Sequence, residues 1–180
     1  MRIRPSVLLA LPLSAFLTCG ALPRTGQAHE GARVAPEAHL ALNKSVVRRV
    51  YEEGLSQGKF EVPYTDDFVG HGGGTATFTH AQGIAEATGW RSAFPDLRVE
   101  VDLLIAEGDF VTVRWTARGT NTGAGQGIPA TGRRVQTSGT TIFRLALGKI
   151  AEEWTAGDSL GLLRQLGLMP PAAVGARPTQ

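Results

Sequence analysis

Between residues 36 and 54 apolar side chains recur at helical spacing. Leu42, Val46, Val47, Val50 and Tyr51 share one face, while Asn43, Lys44, Arg48, Arg49, Glu52 and Glu53 cover the other. This predicts a helix over roughly Pro36–Gly54, ended by Gly54 or Gly58. Residues 59–78 carry no period and read as irregular, with three glycines after His71. Thr79 is a plausible N-cap for a second helix, with Gln82 as its capping-box partner and Ile84, Ala87, Trp90 and Phe94 as its apolar stripe. Pro95-Asp96 stops that helix.

The period then changes to two. Arg98–Ala106 and Phe110–Gly119 read as strands joined at Glu107-Gly108-Asp109, and Val111, Val113, Trp115 and Ala117 alternate with Thr112, Arg114, Thr116 and Arg118. A Gly-rich loop through Thr120–Arg133 leads to a Thr-rich strand, Val135–Leu145. Leu147-Gly148-Lys149 turns it back into Ile150–Thr155. A short helix, Ser159–Leu166, carries four leucines and is closed by Gly167, with Pro170-Pro171 beyond. Helices first and then an antiparallel meander of about four long strands make an α+β protein. A curved sheet wrapped by the N-terminal helices would form a cone around a cavity.

Charge changes this picture only after the first residues are set aside. The chain of 180 residues has formal charge +2, which on its own invites a nucleic-acid partner. Residues 1–28, however, have the parts of a secretory signal: Arg2 and Arg4, an apolar run over Ser6–Leu22, and Gly26-Gln27-Ala28 as a small-x-small site. They hold three Arg and no acid, so the remainder has 15 basic and 16 acidic residues, a net of −1. The basis for a nucleic-acid partner leaves with them. We expect export to the periplasm or medium and a mature start at His29, then a flexible lead-in (29–38), one domain (39–168) and a flexible tail (169–180). Cys19, the only cysteine, leaves a lipoprotein alternative, although Leu17 and Thr18 before it fit a lipobox poorly. One Cys and four scattered His argue against a disulfide framework or a metal centre.

Several segments together resemble the SnoaL-like polyketide cyclase (ester cyclase) family of the nuclear transport factor 2-like superfamily. They are Asn43–Glu53, Asp67-Phe68-Val69-Gly70-His71, Ala93-Phe94-Pro95-Asp96-Leu97, Ile105–Asp109, Val113-Arg114-Trp115, Gly127–Arg133, Ile142-Phe143-Arg144, Gly148–Trp154, and Asp158 with Leu160–Gly167. The resemblance spans about residues 40–168 in order. It implies a cone-shaped α+β fold with a buried pocket, a homodimer, a hydrophobic small-molecule ligand and no cofactor. The chain departs from the family in a short segment after Gly58, in the glycines after His71, and in Asn121, where relatives often carry a His.

The family's reaction is an aldol ring closure, in which a carboxyl takes a proton from carbon beside a carbonyl and protonates the new alkoxide. The resemblance places that carboxyl at Asp158, four residues after Trp154. The residues alone offer another role: Asp158 precedes a leucine-rich helix and is a natural N-cap. His71 is a candidate proton donor or orienter, or a loop cap. Arg114 would reach an anionic group if its face lines the cavity, and otherwise forms a surface ion pair. Glu152 and Trp154 share strand parity with Ile150, which suggests a pocket wall. Trp90 and Phe94 are further candidates for ligand contact, or core. The function is then either cofactor-free acid/base catalysis of aldol cyclase or isomerase type, or non-catalytic small-molecule binding in the same cavity.

Overall fold

The computed structural model describes residues 36–72 and 76–170. The predicted export segment, most of the lead-in and all but the start of the tail lie outside the described residues. Helix α1 spans Pro36–Arg49, so residues 36–38 belong to its first turn and not to a lead-in. It continues as a π-helical segment, Val50–Leu55. Gly58, at φ +76°, ends the run, its N–H donating to the Gly54 carbonyl at 2.8 Å.

The segment expected to be irregular contains two strands, β1 (Tyr64–His71) and β2 (Thr77–Phe78). The sequence pattern missed them because β1 has only two buried positions, Phe68 and Gly70, with Asp66 and Asp67 exposed just before them. Gly70 leaves room for the Phe78 ring, which packs where a Cβ would stand. Helix α2 (His80–Ala93) starts at the expected Thr79–Gln82 capping box.

Strands β3 (Arg98–Glu107), β4 (Phe110–Thr120), β5 (Arg134–Ala146) and β6 (Lys149–Gly157) form the predicted meander, and α3 (Ser159–Gln165) closes the described chain. The β5–β6 turn has positive φ at both Leu147 and Gly148, the twist that suits a two-residue hairpin. The six strands make one sheet in the order β2-β1-β6-β5-β4-β3. It is mixed, because β1 runs parallel to β6.

The helices pack on one face of the sheet. Val46, Val47 and Tyr51 meet Val111, Val113, Phe143 and Leu145 in a core that also takes in Phe94, Leu97, Leu162 and Leu166. The Gly-rich loop after β4 docks on α2 by close backbone approach: a Cβ on Gly125 would stand 2.1 Å from the Gly89 carbonyl oxygen, and one on Gly123 2.0 Å from that of Ser92. Asn121 anchors the loop from a fully buried position. Its Nδ2 donates to the Ala93 and Gly123 carbonyls, and its Oδ1 accepts from the Thr131 N–H and hydroxyl.

Candidate functional site

A cavity of about 720 Å³ opens between the helices and the concave face of the sheet, within the range of small-molecule sites. The π-helical segment contributes Val50, Tyr51 and Leu55 to its wall; α2 contributes Glu86, Ala87 and Trp90; the sheet contributes Trp115, Phe143, Thr141, Glu153 and Thr155. Trp115 owes its place to glycine. Its indole lies on Gly139, where a Cβ would be 2.3 Å from the ring, while its Nε1 donates to the Thr141 hydroxyl at 3.2 Å. Thr141 also bonds the Thr155 hydroxyl at 3.0 Å. Burial drives the Tyr51 hydroxyl well above its ordinary pKa, so it stays a neutral phenol.

The candidates chosen from sequence divide sharply. Trp90 and Phe94 line the cavity. Asp158 stands among the lining residues near the end of β6, and it is also the N-cap of α3, its Oδ1 accepting the Gly161 N–H at 2.8 Å. The other four candidates lie elsewhere. Arg114 points outward with its side chain 58% exposed and pairs with Asp102 at 3.2 Å, the surface ion pair that was its alternative. His71 Nε2 meets Glu152 Oε1 at 2.9 Å, and Arg144 Nε donates to the other Glu152 oxygen at 3.0 Å. The Trp154 ring stacks on His71, centroids 5.1 Å apart. This cluster occupies the outer face of the sheet.

The pocket wall expected of Glu152 and Trp154 is therefore corrected, and the reason is a β-bulge. Arg144 pairs with Glu152, but Leu145 pairs with Ile150, so Ala151 is an extra residue in β6. Ile150 faces the core, and the bulge reverses the phase of everything after it. Glu153 and Thr155 point into the cavity instead, and Gly157 borders it.

Glu153 is the cavity residue that sequence reasoning passed over. Its strand partners are Phe143 on β5 and Gly70 on β1, the latter covered by Phe78. Among the described residues no side-chain or backbone donor is hydrogen bonded to it. Burial, with a smaller contribution from Glu86, pushes its carboxyl up to about 7. Glu152, one residue earlier, is held below the usual carboxylate range by its bonds to His71 and Arg144.

Comparison with known proteins agrees with this architecture. The profile described as SnoaL-like polyketide cyclase matches residues 45–166, more than half of the chain. AclR, a proposed hydroxylase from Streptomyces galilaeus, is 27% identical with a TM-score of 0.66, over 73% of this chain and 85% of that one. A proposed SnoaL-like polyketide cyclase from Jannaschia sp. CCS1 is 27% identical with a TM-score of 0.65, over 72% of this chain and 94% of that one. TsrD from Streptomyces laurentii is 29% identical with a TM-score of 0.61, over 75% and 99%. No curated protein matches the chain. The matched profile and the shared α+β architecture, a curved mixed sheet with three helices packed on it, place this chain in the SnoaL-like polyketide cyclase family, with the nuclear transport factor 2-like fold.

Proposed function

We propose that the cavity binds a neutral, largely apolar small molecule bearing a carbonyl and that a carboxyl in it moves a proton on that molecule, in the manner of a cofactor-free aldol cyclase or isomerase. The observation that carries this reading is the wall: aromatic and aliphatic side chains enclose about 720 Å³, and Glu153, Glu86 and Asp158 are the acids that border it. Arg118 is the only basic lining residue among those described, and its guanidinium is turned to Glu100 and Gln136. An anionic ligand would find no partner. Asp158 is the carboxyl to which the family resemblance points. Its engagement as an N-cap favours a second reading, a carrier that uses the cavity without chemistry.

The test is fluorescence titration of the full chain with neutral aromatic ketones. Trp90 and Trp115 line the cavity and Trp154 does not, so saturable quenching that survives Trp154→Phe supports the reading. Quenching that fails to saturate, or that depends on Trp154, overturns it.

We also propose that the mature protein is exported and forms a homodimer. The features of residues 1–28 support export, and mass spectrometry of protein from its own cell should find His29 as the N-terminus. The outer face of the sheet supports the dimer. Ile105, Thr112, Ile142, Trp154 and His71 lie in register across five strands, with Ile105 57% and Ile142 40% exposed. The adjoining His71–Glu152–Arg144 cluster carries both signs of charge, as a surface that meets its own copy requires.

A further inference from the structure

We infer that Glu153 is the proton-accepting group of the cavity. This rests on the reading above and identifies the atom that does its chemistry. In the step, a Glu153 carboxylate oxygen takes a proton from the carbon beside the ligand's carbonyl. The C–H electron pair moves into the carbonyl to give an enolate. In a cyclisation the enolate carbon bonds to a second carbonyl of the ligand, whose π pair becomes an alkoxide that takes the proton back from the carboxyl; in an isomerisation the proton returns to carbon, so nothing else is consumed.

Glu153 is placed to meet a ligand. After the bulge at Ala151, Glu153 points into the cavity between Phe143 and the Phe78-covered Gly70, and no donor among the described residues holds it. A ligand entering the cavity meets an uncommitted carboxyl there. Asp158, by contrast, spends an oxygen on the Gly161 N–H, and Glu86 accepts from Trp90 Nε1 at 3.2 Å.

Its electrostatic surroundings favour the same role. The titratable groups facing Glu153 are Tyr51 from the π-helical segment, Tyr64 from β1 and Glu86 from α2, and the cavity wall elsewhere carries Asp158 and Arg118. Both phenols are held neutral by burial, Glu86 and Asp158 are acids, and Arg118 is paired with Glu100. His80 stacks on Tyr64 with centroids 4.1 Å apart, and its own burial disfavours its cationic form. Glu153 therefore has a largely apolar wall and a neighbouring acid but no counter-cation. Such a carboxylate is a stronger base than one in water and still releases its proton near neutrality.

The experiment uses 5-nitrobenzisoxazole, a neutral apolar bicycle whose ring opens when a base removes its C–H proton. The N–O bond breaks, its electron pair ends on the phenolate oxygen, and the coloured phenolate is counted. With the full chain, the rate is expected to saturate with probe and to rise with pH around the Glu153 midpoint. Glu153→Gln should lower kcat/KM by about 100-fold at alkaline pH. Glu86→Gln, which removes the neighbouring negative charge, should move the midpoint of the pH profile downward. A merely structural role for Glu86 would not move it. Circular dichroism checks folding, and if Glu153→Gln does not fold, Glu153→Asp should slow the reaction by about tenfold through the retracted carboxylate.

Saturable quenching of tryptophan fluorescence by the probe, with no turnover above that of acetate or with turnover unchanged in Glu153→Gln, overturns Glu153 and leaves the binding reading standing. A pH midpoint unmoved by Glu86→Gln also overturns the inference. Absence of both saturable quenching and turnover overturns the inference and the binding reading together.

Discussion

Glu152 and Glu153 are consecutive on β6, and their carboxylates lie on opposite faces of the sheet. Glu152 is clamped by His71 at 2.9 Å and Arg144 at 3.0 Å, while Glu153 faces the cavity. The two should have opposite effects on stability with pH. The folded pKa of Glu152 is lowered, so its contribution is present above the ordinary carboxylate pKa and lost as pH falls through the folded value. Glu153 has its folded pKa raised from 4.5 to about 7, so the folded state holds more protons than the unfolded one between those values. Stability from Glu153 is therefore full below about 4.5, declines as pH rises to about 7, and is level above. Chemical denaturation of Glu153→Gln should find it more stable than the parent at about pH 8, by on the order of 3 kcal/mol at most, and equal in acid. Glu152→Gln should lose about 1 kcal/mol at neutral pH, with the difference fading in acid. A parent whose stability does not fall between about pH 4.5 and 7 relative to Glu153→Gln contradicts the assignment.

Asp158 can be separated from its cap. Asn is as good an N-cap as Asp, so Asp158→Asn should melt within about 0.5 kcal/mol of the parent, while Asp158→Ala should lose about 1 kcal/mol. A fall in turnover in Asp158→Asn at unchanged stability would assign it chemistry. Equal turnover in both would leave it a cap alone.

Gly139 shapes the cavity through Trp115. A methyl at this position meets the indole at 2.3 Å and the Ala156 carbonyl at 2.6 Å. Gly139→Ala should cost roughly 1–3 kcal/mol by thermal denaturation and displace the indole. Ketone affinity should fall with it, whereas Gly108→Ala, in a turn whose added Cβ meets nothing within 4 Å, should leave affinity unchanged.

Ile142 lies opposite Trp154 on the outer face, away from the cavity. If the proposed dimer forms through this face, Ile142→Glu should shift it to monomer in sedimentation equilibrium, with its melting curve little changed at low concentration. A dimer unaffected by this change would place the interface elsewhere.

Asn121 carries the Gly-rich loop. Removing its amide leaves the Ala93 and Gly123 carbonyls and the Thr131 donors without partners in a buried site. Asn121→Ala should destabilise by about 2–4 kcal/mol, measured by urea denaturation.

Much of this molecule was legible in its sequence because the signals are local. The Thr79–Gln82 capping box, the Asp158 cap, Gly58 and the alternation of β4 each act within a few residues, and each appears where the pattern put it. The family motifs likewise led to the right fold. Tertiary structure decided the rest, because those features depend on partners far along the chain. Strand β1 has little period of its own and exists because β6, some 80 residues later, lies parallel beside it. One extra residue, Ala151, is invisible to parity counting and forms a bulge only once β6 is paired with β5. That residue turns Glu152 and Trp154 outward and Glu153 inward, and thereby decides which of two adjacent acids meets the cavity.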